Sequence, residues 1–444
     1  MLEMMEINVC LPSGCSIALS VPSNATVREL KKAAKEFVGG PFFQIITSHR
    51  RRLEPAEALL DTLRSGETVT VVRQAPQLAA SCAAFAVWYA GSGVVTWGDS
   101  RRGGDSSGVR HQLKNVQDIQ ASEGAFAAVL ADGSVVTWGD ARHGGDSSGV
   151  QDQLKNVQRI QASKVAFAAI LADGSVVAWG DGAGGGDCSR VQHQLKAVQS
   201  IRASHRAFAA LLADGSVVSW GDPSYGGDSS SVQHQLTNVQ RIQANRLAFV
   251  AWLADGSIAT WGNSSSGGDG RLSEDQLKNA QHIEASEYGF AALLADGSVV
   301  GWGHLVSRID RYTQSQLKNQ VRKIHSSYRA FAALLADGSV VTWGDPYAGG
   351  DCSAVEDQLK NVQQIQAAEA AFAAILPDRS VVTWGGARYG GDSSKVQHQL
   401  KDVQQIQASE TAFAAICGNG SLVTWGDDAS GGDSSNVPDL IEQL

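Results

Sequence analysis

Residues 116–156 read VQDIQASEGAFAAVLADGSVVTWGDARHGGDSSGVQDQLKN, and residues 157–197 repeat them as VQRIQASKVAFAAILADGSVVAWGDGAGGGDCSRVQHQLKA. The step is 41 residues and it persists. Trp97, Trp138, Trp179, Trp220, Trp261, Trp302, Trp343, Trp384 and Trp425 keep it, as do nine phenylalanines from Phe85 to Phe413. Every Phe beyond residue 43 belongs to that series. Nine such units fill the chain from about residue 77 to 444.

Within one unit, Val116 to Ala121 alternates as a short strand, and Ala125 to Leu130 is an apolar run of strand length. Ala131-Asp132-Gly133-Ser134 is a tight-turn signal. Val135-Val136-Thr137-Trp138 is β-branched and aromatic, as strands are. A glycine loop, Gly144-Gly145-Asp146, follows, and Val150 to Leu154 offers a fourth, outer strand. No segment of the repeats has a sustained helical period. A sheet this small cannot bury both faces alone and must stack on its copies. Radial stacking of sheets of about 40 residues gives a β-propeller-like array. The Ala-rich second strand suits crowding near the axis, with Phe and Trp filling the space between sheets. The tail after Ser435 is placed to supply the outer strand that the first unit lacks, which would seal a ring; a spiral or open array stays open.

The apolar strand, A-F-A-A-x-L, A-D-G-S, V-V-x-W-G and a Gly-Gly loop together resemble the regulator of chromosome condensation repeat, over residues 77–444. The units are shorter than is typical, closer to the compact repeats of propeller-type β-lactamase inhibitor proteins, and Gly-Gly-Asp-Ser-Ser replaces the usual Gly-Gln-Leu-Gly. The resemblance implies a binding role. The family's founding member is a nucleotide exchange factor that acts on a small GTPase through a projecting hairpin; these near-uniform units show no insertion to form one. The arrangement is also similar to the propeller portions of HECT-type ubiquitin ligases. No catalytic-cysteine domain follows the repeats, so this comparison implies a ligase subunit.

The first 75 residues differ. Glu6 to Leu11 alternates, Pro12-Ser13-Gly14 turns, and Ser16 to Val21 alternates again. Thr26 to Lys31 opens an amphipathic helix with Asn24 as a plausible cap. Phe43 to Thr47 and Thr68 to Val72 read as strands. This order resembles a ubiquitin-like β-grasp (α+β) domain over residues 1–75. Arg73-Gln74-Ala75-Pro76 leads straight into the repeats, with no Gly-Gly conjugation tail, which implies an in-chain adaptor for a ubiquitin receptor or the proteasome.

The chain has 444 residues and a net charge of −9. Residues 1–76 carry nine basic and eight acidic side chains, so the repeats hold a net −10. That charge argues against nucleic-acid binding by the repeats. Six cysteines lack zinc spacing and read as free thiols. No signal sequence or apolar run of about 18 residues is present. The expectation is a cytoplasmic or nuclear monomer, without cofactor, that binds proteins and no membrane.

Gly-Asp-Ser-Ser imitates a nucleophile loop, but it recurs, whereas a nucleophile needs one base in a unique site. Its Asp reads as an Asx-turn acceptor, with cation binding by the nine-fold carboxylate ring as the alternative. Gly182 to Gly186 lacks the strand–helix frame of a dinucleotide site. Arg50-Arg51-Arg52 reads as a solvated loop. Two columns vary while the rest stays constant: the pair after the first strand and the triplet after Trp-Gly. An antiparallel meander puts both at one end. Arg and Tyr are common in interface hot spots. The candidate partner-binding rim is therefore Arg101, Arg102, Arg142, His143, His205, Arg206, Tyr225, Tyr288, Tyr328, Arg329, Tyr347, Arg388 and Tyr389; neutral drift of solvent loops is the alternative. The sixth unit breaks pattern at His304, Arg308 and Ile309, and Arg379 replaces a turn glycine in the eighth.

Overall fold

The computed structural model describes residues 4–38, 43–49, 51–53, 57–73, 77–88, 93–269, 277, 280–304, 309–318 and 320–433. In the N-terminal part, β1 (Met4–Cys10) and β2 (Ser16–Pro22) form a hairpin, followed by α1 (Val27–Val38), β3 (Phe43–Thr47) and β4 (Thr68–Arg73). The sheet order is β2-β1-β4-β3, with β1 and β4 parallel. Alternation puts Met5, Ile7 and Val9 under the sheet, where they meet Val27, Leu30 and Ala34 of the helix. The helix is capped at Thr26 and not at Asn24: the Glu29 carboxylate accepts from the Thr26 backbone N–H at 2.7 Å, half of a capping box.

From Gln77 onward the chain forms nine three-stranded antiparallel sheets. In unit two the strands are Val116–Ala121, Ala125–Leu130 and Val135–Gly139. The middle strand is the Ala-rich one, and the first strand, not this one, lies nearest the axis. Inner strands of successive units touch all the way round, and that of unit one (Gln77–Ala80) touches that of unit nine (Val403–Ala408). The ring is closed. Leu78, Phe85 and Val87 pack on Ala412, Ala414 and Ile416 across the seam. The expected sealing strand, in residues 434–444, lies outside the described residues, as do Arg50 and Arg308.

The Ala column is explained by crowding from two sides. Ala127 and Ala128 are fully buried. Ala128 faces unit one and Ala127 faces unit three. Residues 150–154 are turns and not a fourth strand. They still cover the outer edge: Gln151 Nε2 donates to the Val135 carbonyl at 3.0 Å, and Leu154 is buried beneath. One side-chain bond thus does the blunting that edge strands need.

Adjacent units meet at a glycine. Phe167 and Trp179 stack within unit three, with centroids 5.3 Å apart. Trp179 Nε1 donates to the carbonyl of Gly144 in unit two at 3.0 Å. Gly144 has φ +91°, and a Cβ there would lie 2.5 Å from Phe167. Burial of each such Phe stabilises by about 2–3 kcal/mol. Among the described residues seven non-glycine positions have positive φ, and they include Asn115, Asn156, Asn238 and Asn361, a column in which asparagine tolerates the left-handed region. Arg379 takes φ +63° in the turn where other units have glycine.

In unit six, Asp310 caps a short helix, Arg311–Gln316, by accepting from the Thr313 N–H at 2.7 Å. Gln314 still reaches the Val299 carbonyl at 3.2 Å, so the edge cover survives the irregular spacing.

Gly144→Ala combines a left-handed β-carbon with overpacking, so it should cost about 2–4 kcal/mol. Arg379→Gly should instead stabilise by about 1 kcal/mol, since its pairing with Asp402 is an exposed one. Chemical denaturation of both variants reads the two opposite signs.

Candidate functional site

In units one, two, four, five and seven a single side chain ties the two variable columns together. Ser122 Oγ donates to the His143 carbonyl at 2.8 Å, and it accepts from the Ala125 N–H at 3.1 Å. Ser81, Ser204 and Ser327 make the same link to the carbonyls of Arg102, Tyr225 and Ala348. In unit five Asn245 replaces serine and donates to the Ser266 carbonyl at 2.7 Å. In units one, two, four, seven and nine the triplet forms a short 3-10 turn capped by an aspartate side chain; Asp140 accepts from the Arg142 N–H at 2.9 Å.

The residue after that serine lies at the axial mouth. Backbone N–H groups there donate to the next unit's carbonyl: Glu123 to Lys164 at 2.9 Å, Lys164 to His205 at 3.1 Å, Tyr328 to Glu369 at 2.8 Å. Side chains of seven units line one cavity of about 340 Å³. Lys164 Nζ of unit three reaches Glu410 Oε1 of unit nine at 2.7 Å, across the mouth.

The candidate rim residues separate into two groups. Arg101, Arg142, Tyr347 and Arg388 form an outer exposed crown; Tyr347 is 88% exposed. Arg101, Arg142 and Arg388 pair with Asp99, Asp140 and Asp427. Tyr225 and Tyr389 are half-buried against unit faces. Arg102 turns inward to Cys82 Sγ at 3.0 Å and Glu123 at 3.4 Å. His143 lies 3.3 Å from Asp140, and Arg206 bridges Asp181 and Asp222 at 2.9 and 3.6 Å.

His205, Tyr288, Tyr328 and Arg329 lie inside the crown. The rings of Tyr288 and Tyr328 meet edge to face at 6.2 Å. Arg246 and Arg329 lie over both rings, at 5.6–5.9 Å. Beneath them Glu287 is 1% exposed and pairs with Arg246 and, at 3.8 Å, with Arg329. Arg246 also bonds the Tyr328 hydroxyl. Glu123, Glu287 and Glu410 belong to the variable pairs that the sequence places on the rim, though outside the candidate set; sequence reasoning missed Lys164, Arg246 and Glu369 at this mouth. The signal for them is positional: each immediately follows the Ser, Asn or Ala that closes its inner strand.

The mouth is electrically polarised. Burial, then Glu410, raises the Glu369 carboxyl, and burial pushes the Cys82 thiol up to about 12. Burial, then Lys164 and Arg246, lowers His205 to about 2. The recurrent aspartates are occupied by their own loops, since Asp105 accepts from the Ser107 N–H at 2.8 Å and Asp146 from that of Ser148 at 2.9 Å. Among the described residues no cluster of His, Cys, Asp or Glu is placed to hold a metal. All six cysteines are free. No helix of the described residues is long and apolar enough to cross a membrane.

No protein-family model matches the sequence, and no curated protein matches it. Solved structures do. Yeast RCC1 (Prp20), solved with Kap60, is 14% identical, with 67% of this chain and 88% of that one covered and a TM-score of 0.38. The computationally designed Ika8 protein is 14% identical, covering 80% of this chain and 96% of its own, with a TM-score of 0.35. The N-terminal ubiquitin-like domain of the 4931431F19Rik protein is 18% identical over 17% of this chain and 79% of its own, with a TM-score of 0.16. At these TM-scores the similarities carry no functional inference.

A histidine held neutral when folded binds its proton more readily when unfolded. Stability should therefore fall as pH drops from the ordinary value of 6.5 toward the folded value of about 2. His205→Gln should flatten the decline of Tm between about pH 6.5 and 4; an unchanged slope would assign that decline to other groups.

Proposed function

We propose that this chain is a non-catalytic interaction protein that captures a protein partner on the loop end of its ring, around the Arg246–Tyr288–Tyr328–Arg329 cluster. The observation that carries this is the serine or asparagine link: in five units it holds two variable segments at one end of an otherwise uniform frame. The frame fixes the positions while the side chains differ, as a recognition surface requires. Large aromatic and guanidinium groups, prearranged by stacking, need little ordering on binding. The partner covers the axial mouth and meets the exposed crown of Tyr347 and Arg388.

The N-terminal part extends this reading. Its sheet order β2-β1-β4-β3, with the helix between β2 and β3, supports a ubiquitin-like domain ahead of the ring at residues 1–75, with the repeats at 77–444. In that reading it links the captured partner to ubiquitin receptors or the proteasome.

Affinity capture by the full chain tests both halves. Tyr328→Ala with Tyr347→Ala and Arg388→Ala should lose the ring's partners, at about 2 kcal/mol or more per hot-spot residue. Lys155→Ala with Lys196→Ala, at the opposite end, should retain them. A chain beginning at Gln77 should keep those partners and lose ubiquitin-pathway proteins. The reverse pattern for the two ends would move the binding face; unchanged ubiquitin-pathway proteins would remove the adaptor role.

A further inference from the structure

A second cluster lies on the inner strands, apart from the loop end. Arg159, Arg202 and Arg241 stand on the inner strands of units three, four and five (Val157–Ala162, Val198–Ala203, Val239–Ala244). These strands are neighbours in the ring. Past the bulge at each strand's start, Arg159 is opposite Ile170, Arg202 opposite Ala209 and Arg241 opposite Trp252. In repeat register Arg159 and Arg241 share one position, and Arg202 is two residues further on. Strand alternation therefore sends all three from the same face. The other face carries Ile160, Ile201 and Ile242, packed on the preceding unit. The arginines thus border the channel on the side facing the following unit.

Their charge is not compensated. Arg202 donates to its neighbour's carbonyl, Ile201 O, at 3.3 Å, and Arg241 lies over the Trp252 ring at 5.3 Å. Among the described residues no carboxylate pairs with any of the three. Burial, then Arg241 and Arg159, disfavours the charged form of Arg202. Across the two inner-strand positions concerned, the nine units supply Arg159, Arg202, Arg241 and Lys323 against Asp118 and Glu284, a net of +2. The repeats as a whole carry −10, so positive charge is concentrated where the strands converge.

We propose that this arc of the channel is a binding site for a small polyphosphate-class oxyanion, gripped by the guanidinium forks of Arg159, Arg202 and Arg241 with Ser200, Gln161 and Gln243 as neutral donors. A guanidinium presents paired N–H groups that match two oxygens of one phosphate, and a multiply charged anion answers three cations at once. The acidic remainder of the ring repels nucleic acid. This site is independent of the partner-binding reading.

Isothermal titration calorimetry of the full chain with inorganic pyrophosphate and tripolyphosphate, against sodium chloride of matched ionic strength, tests it. Saturable one-to-one binding is expected, tighter for tripolyphosphate. Arg202→Gln should weaken it by roughly tenfold or more, the loss of one charge-assisted contact. R159Q with R202Q and R241Q should abolish it, while Lys155→Gln leaves it intact. Because the triple variant removes like charges, its Tm without ligand should match or exceed the wild type, and the Tm gain on adding tripolyphosphate should vanish. No saturable heat in the wild type, or equal binding by the triple variant or equal loss in Lys155→Gln, would overturn the proposal.

Discussion

The ring depends on a glycine whose missing side chain does two things together. At Gly144 the left-handed backbone turns the loop, and the bare α-carbon sits against the ring of Phe167. Its carbonyl is then in line to accept from Trp179. Seven tryptophans make this bond across a unit boundary: Trp138, Trp179, Trp220, Trp261, Trp302, Trp384 and Trp425. Trp97 and Trp343 have buried indole N–H groups without an acceptor among the described residues. The first faces the closing seam and the second follows the irregular sixth unit. A buried unpaired donor costs about 1–3 kcal/mol. At the seam Gly431 meets Phe85 as Gly144 meets Phe167, with a Cβ there 2.5 Å from the ring.

With cohesion placed in the glycine, Phe and Trp columns, the loop end is released from it. In unit two the inner turn closes on the Ser122 hydroxyl and the 3-10 turn on the Asp140 carboxylate, and units one, four and seven do the same with their own Ser and Asp. Neither closure uses the variable side chains. Substitutions there change the surface without changing the frame, which is how near-copies of one unit come to present different residues at one mouth. The opposite end differs: Asp132 accepts from the N–H and hydroxyl of Ser134 at 2.9 and 2.6 Å. Backbone and side chain are interlocked in that turn, and its sequence barely varies.

Much of this is legible in the sequence. The 41-residue period gives nine units, the β-branched runs give the strands, and the variable columns give the surface. The Ala column misleads as to the axis because crowding between two sheet faces and crowding at an axis demand the same small residue. Residues 150–154 mimic a strand because Val150 and Leu154 are spaced to bury apolar groups, yet one Gln side chain reaches the edge. Asn24 looks like a helix cap, but Thr26, with Glu29 three residues on, carries the stronger sign. Closure is illegible in principle: it sums small rotations at nine joints, and no local pattern records that sum.

Symmetry of the frame and asymmetry of function are then compatible. Strand register repeats, so any inner-strand residue recurs at the same height around the axis. A chemical site needs only that neighbouring units carry the right residue at one or two heights. The mouth gathers Lys164, His205 and Arg246 on three consecutive units and faces them with Glu369 and Glu410, and the Lys164–Glu410 bond spans the gap. Deeper in the ring, Arg159, Arg202 and Arg241 occupy the same three units with no facing carboxylate bonded to them among the described residues. Units three to five therefore form a basic wall along the axis, neutralised at the mouth by the protein's own acids and left open below it. The depth at which the charges stop being paired marks where a ligand, in place of a side chain, completes the balance.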